Sequence, residues 1–201
     1  MQQTAASHAQ RSWPGHRRRS ATALRDNGLR FSPVTIALHW LVAALVLSII
    51  VIESIGLLRP EPSLVRLENL LTALLLPISV YRFWARVTSY HPLPLGTPNP
   101  VEVIVSRSVA IGLALAMVLL PIAAWLCKSA ADIAIELPGG YVIPALMAPS
   151  PSAAGVLRVL FDVGGAAFLL GLALHLFGAL KNHFVLKNDV LKRMLGKHVE
   201  L

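Results

Sequence analysis

Long stretches without Asp, Glu, Lys or Arg set the limits on what this chain can fold into. Val34 to Ile52 is 19 residues long, Ser108 to Cys127 is 20 and Val163 to Leu180 is 18. At a rise of about 1.5 Å per residue, each approaches the length of helix that crosses the hydrocarbon core of a bilayer. A fourth segment, Leu64 to Arg86, has an uncharged centre of only 12 residues, Leu70 to Tyr81, and contains Pro77. It is read as a span through its pairing with the neighbouring ones. The fold class expected is therefore all-α, an integral membrane bundle of four helices.

Composition agrees. The 201 residues are 55% hydrophobic and only 14% charged, where a soluble domain carries roughly a quarter charged residues. A net charge of +8 would suggest nucleic acid on a soluble fold, but here the basic residues flank apolar runs, and a membrane surface accounts for them better. The single cysteine, Cys127, excludes an internal disulfide and a thiolate cluster.

Lys and Arg also set the expected orientation, because cytoplasmic flanks keep positive charge. Fourteen fall on one side, in the N-terminal region, around Arg82, Arg86 and Arg107, and after Lys181, against four on the other, Arg59, Arg66, Lys128 and Arg158. Both termini are expected inside. Residues 1–29, with Arg11, Arg17, Arg18, Arg19 and Arg25, read as a disordered basic cytoplasmic tail near anionic lipid, with no apolar core of a cleaved signal. An Arg-rich, acid-poor leader is also compatible with a mitochondrial transit peptide. Residues 30–195 read as the membrane domain and 196–201 as a C-terminal tail. The link from Lys128 to Ser152 contains Leu137-Pro138-Gly139-Gly140 and is a candidate for a short interfacial helix on the outside.

Two ionisable residues lie well inside apolar helices, His39 and His175, and such residues are functional candidates by default. His39 follows Pro33 by six residues and His175 precedes Lys181 by six, which puts each about 9 Å in from the cytoplasmic end. Two imidazoles at one depth on facing helices are what the iron of a six-coordinate haem requires. In steps of three and four, Phe161, Gly164, Phe168, Gly171, His175 and Gly178 form one face, so His175 projects from a face poor in side chains, where a flat macrocycle could lie. The plainer account is that the glycines let helices approach and the histidines are packing residues; equal depth tips the reading toward a haem site.

Other polar residues say less. Glu53 shares a stripe with His39, and Glu68, Thr72, Ser79 and Arg82 mark one face of the second span. A proton or quinone-headgroup site and plain hydrated carboxylates near the outer interface are both compatible with them, the second more so. Arg158 and Asp162 are spaced for a local ion pair. Arg30, Arg82, His183 and Lys187 should lie near the inner interface, where haem carboxylates would also lie; snorkelling anchors are an equal alternative. No hydrolase, nucleotide or zinc motif is present.

Arg30-Phe31-Ser32 before His39-Trp40 resembles the opening of the bacterial cytochrome b561 family, four-helix membrane cytochromes that hold b haems. His175, His183, Lys187 and Asn188, then Leu191, Arg193 and Met194, resemble its close, and Leu120-Pro121 is a further similarity. The resemblance runs from about Arg30 to Leu195. It implies electron exchange with quinone or a redox protein in a respiratory-type chain of the bacterial inner membrane, with His39 and His175 as iron ligands of an inner haem b and Lys187 as a further cofactor contact. The family's second, outer haem would need histidines where this chain has Glu68 and Phe161, so one haem is expected. The alternative is a haem-free four-helix subunit acting as a structural or assembly partner. A small transporter ranks below both. A homodimer and a subunit of a larger complex are left open, as is enzymatic action on quinone.

Overall fold

A computed structural model describes residues 31–88, 99–187 and 190–196. Four long helices dominate: α1 (Pro33–Leu58), α2 (Pro62–Thr88), α3 (Pro100–Ala130) and α4 (Pro151–Leu180). All four are long and apolar enough to cross a membrane. Between α3 and α4 the strands β1 (Ile135–Glu136) and β2 (Val142–Ile143) form a small antiparallel hairpin, and a π-helical turn at Lys181–Val185 leads from α4 towards the short α5 (Val190–Met194).

Three of the long helices start by the same local chemistry. A Ser or Asn caps the end, its side chain accepts a backbone N–H of the first turn, and Pro follows, where a missing N–H costs nothing. Ser32 Oγ accepts from Thr35 at 3.1 Å, Asn99 Oδ1 from Val101 at 2.9 Å and Ser150 Oγ from Ala153 at 3.4 Å. Caps and not charges define where these helices begin, so α3 starts at Pro100, well before Ser108, and α4 at Pro151, well before Val163. Pro77 and Pro121 lie inside α2 and α3 without ending them.

The link between α3 and α4 corrects one expectation. Among the described residues it holds the hairpin and no interfacial helix. Gly139 (φ 88°) and Gly140 (φ 82°) occupy left-handed backbone that disfavours a side chain, and they turn β1 back on β2.

Backbone packing runs in sequence, α1 on α2, α2 on α3 and α3 on α4. The last of these is close because α4 offers glycines. A Cβ on Gly164 would lie 3.2 Å from Leu120, and one on Gly171 would lie 3.4 Å from Leu113. At those two positions the glycine face serves helix approach, not an open surface. Gly178 differs, with nothing within 4 Å of where its Cβ would sit.

The middle of the bundle is one apolar layer, Val42 and Val46 of α1 with Leu75 of α2, against which Met117, Phe168 and Leu172 pack. Most other apolar side chains point outward, including Leu47, Val51, Leu119 and Leu170, each more than half exposed. In water so much apolar surface would drive aggregation. Lipid solvates it, leaving interhelical packing and hydrogen bonds to hold the bundle.

Candidate functional site

His39 lies one turn before Val42 on α1 and His175 one turn after Leu172 on α4, so both come directly below the apolar layer, at the end where α1 begins and α4 ends. Their rings meet there in an edge-type contact, centroids 6.3 Å apart with 62° between the planes. Both side chains are half-buried. The equal depth expected from ideal helices is thus matched by a direct approach across the bundle.

The distance has a chemical meaning. A metal–imidazole bond of about 2 Å, plus about 1.1 Å from nitrogen to ring centre, would let two imidazoles share one metal with centroids about 6 Å apart. Each ring turns freely about its own metal–nitrogen bond, so an angle between their planes is tolerated. Two protein ligands alone hold a bare metal poorly, and among the described residues no cluster of three or more His, Cys, Asp or Glu could do so. The pair suits a metal that brings its equatorial ligands with it, as haem iron does. On this observation the residues present fit a haem.

Around the pair, polar groups are short of partners. Arg82, on α2, donates from Nη2 to Nδ1 of His39 at 2.8 Å. Ser79 Oγ, one turn before Arg82, is buried and has no hydrogen-bond partner among the described residues. Trp40, beside His39, donates to the carbonyl of Met194 at 2.9 Å and ties α5 across this end. The π turn that closes α4 is marked by the Leu186 N–H reaching back five residues to Lys181 at 3.0 Å, a bulge of the kind that recurs at functional sites.

Of the other residues expected near this end, His183 stacks edge-on against Phe184, centroids 4.8 Å apart, and Lys187 is exposed, with its backbone at φ 50°. Arg30 and Asn188, and the basic tail, lie outside the described residues. Lys181 pairs instead with Glu102 of α3 at 2.7 Å.

The opposite end, where the hairpin sits, is built differently. Glu68 lies against Glu53 of α1, with Lys128 nearby, and Phe161 is half-buried on α4. Asn69, only 6% exposed, donates to the Glu136 carbonyl at 2.9 Å and accepts from Lys128 Nζ. Arg66 reaches Glu136 at 3.7 Å, and Trp125 donates to the Pro144 carbonyl at 3.0 Å. Arg158 and Asp162 form the expected local pair at 3.0 Å. Sequence reasoning missed Asn69, although a lone Asn in an apolar helix was the available signal. It noted Arg82 without seeing that Arg82 meets His39.

Comparison with known proteins adds an independent finding. Residues 30–197 match the family described as prokaryotic cytochrome b561. The chain is also 30% identical over 177 residues to cytochrome b561 homolog 2 of Escherichia coli (strain K12), an alignment covering 84% of this chain and 92% of that protein. With its four membrane-crossing helices, the chain therefore belongs to the prokaryotic cytochrome b561 family, as a multi-pass bacterial membrane protein and a b-type cytochrome of electron transfer.

Proposed function

We propose that the protein holds one haem b, whose iron His39 and His175 would bind, and passes single electrons between that haem and a quinone or a redox protein. The observation that carries this reading is the 6.3 Å approach of the two rings from the first and last long helices. Bound haem supplies a one-electron carrier whose potential follows its ligands and its burial. The chain's own part is to fix the two imidazoles, exclude water with the Val42–Leu75–Leu172 layer, and present a rim at the bundle end. Lys187 belongs to that rim in this reading.

Residues 30–195 are the working domain, in the bacterial inner membrane, with the histidine end towards the cytoplasm. The bias of Lys and Arg towards that end supports this orientation. Glu68 and Phe161 stand where a second haem would need ligands, and a phenyl ring offers iron no lone pair. Electrons then enter and leave at one end, with no haem relay to the other.

The test is haem retention in the detergent-purified protein by reduced-minus-oxidised spectra. His39→Ala and His175→Ala should each abolish the b-type spectrum while the protein remains folded and membrane-inserted. Full haem occupancy in both variants would refute the ligand assignment. No haem in the well-folded wild type would favour a haem-free membrane subunit.

A further inference from the structure

Arg82 is a half-buried guanidinium in an apolar helix, and its environment is unbalanced. Guanidinium carries five N–H donors and no acceptor. Among the described residues its one hydrogen-bond partner is the neutral ring of His39, and no carboxylate lies within ion-pair distance. Arg86, a second cation, follows four residues later on α2. A cation held this way has donors to spare for an oxyanion.

The bond to His39 has a second consequence. Because guanidinium can only donate, Nδ1 of His39 must accept, and a neutral imidazole accepting at Nδ1 carries its hydrogen on Nε2. Nε2 then has no lone pair to offer a metal. The ring can coordinate through Nε2 only when Nδ1 carries the hydrogen, and Arg82 must leave Nδ1 for that to happen. One side chain therefore faces both requirements of the site, a free imidazole nitrogen and a counter-charge.

We propose that Arg82 gates loading of the histidine site, holding His39 Nδ1 in the haem-free chain and exchanging that bond for a carboxylate of the incoming haem. The inference rests on the haem reading above and deepens it. In the exchange the His39 hydrogen moves from Nε2 to Nδ1, no net proton is gained or lost by the ring, and the guanidinium keeps its charge. Arg82 is a positioning residue here, acting on the ligand and on the periphery of the cofactor. A lipid headgroup phosphate shares the oxyanion chemistry, and the test separates the two.

Full-length protein purified in detergent from haem-limited cells is titrated with hemin and with hemin dimethyl ester, whose carboxylates are masked. Wild type should bind hemin about tenfold more tightly than the ester, the worth of one charge-assisted hydrogen bond. Arg82→Leu should bind the two alike, keep the low-spin spectrum of two imidazole ligands, and take up the ester faster than wild type does. Arg82→Lys should restore part of the preference. Equal binding of the two porphyrins by wild type overturns the proposal without recourse to any variant. So does a wild-type preference retained in Arg82→Leu, the result expected if Arg82 serves a lipid phosphate. Failure of wild type to give a two-imidazole spectrum with either porphyrin would remove the haem site itself, a different result from loss of the preference alone.

Discussion

The two ends of the bundle differ in how far they pair their polar groups. At the hairpin end the amide, indole and hydroxyl groups are paired within the chain, with Asn69 bonded to the Glu136 carbonyl and to Lys128, Trp125 to Pro144, and Ser129 Oγ donating to Trp125 at 2.9 Å while accepting from Leu146 at 3.0 Å. The Glu53–Glu68 pair is the exception, with Lys128 nearby. At the histidine end Ser79 Oγ has no partner among the described residues and Arg82 has only a histidine. Buried polar groups left short are costly. A protein tolerates that cost where a ligand settles it. On the haem reading proposed above, a bound cofactor settles it at the histidine end.

That contrast can be broken by substitution. The largest effect falls on the histidine end, where His39→Ala or His175→Ala should empty the haem site while the hairpin end keeps its structure. Persistent protection of the Ile135–Ile143 hairpin in hydrogen exchange would check that independence. Next comes Asn69→Ala, which removes the buried amide's bonds to the Glu136 carbonyl and the Lys128 ammonium and should cost about 1–2 kcal/mol of stability. Thermal unfolding in detergent would measure it. Haem content should stay at the wild-type level, and haem loss there would mean that the two ends are not separable. The smallest effect is expected for Asp162→Asn, which removes an exposed ion pair worth about 0.5 kcal/mol or less. A shift in unfolding temperature well beyond that would show a role for Asp162 that its contact with Arg158 does not provide.

What could be seen in the sequence follows from how local each determinant is. The four spans are legible because a run without charge is its own signal, and the histidine pair because depth along a helix is simple counting. The helix starts are not read from charge, since the caps at Asn99 and Ser150 lie outside the apolar windows. The glycine stripe is legible as a stripe only. That Gly164 and Gly171 receive Leu120 and Leu113, while Gly178 stays open, depends on the rotation of α4 against α3. The hairpin cap depends on partners far apart in sequence, 67 residues for Asn69 and Glu136, and the Arg82–His39 bond spans 43. No periodicity within a helix encodes either.

Haem stoichiometry of the purified, well-folded protein, by pyridine haemochromogen against polypeptide concentration, tests the central claim most directly. One b haem per chain is the result the two-ended account predicts. Two haems would contradict it by requiring a ligand at the capped end in place of Glu68 or Phe161, and none would contradict it by leaving His39 and His175 with no iron to hold.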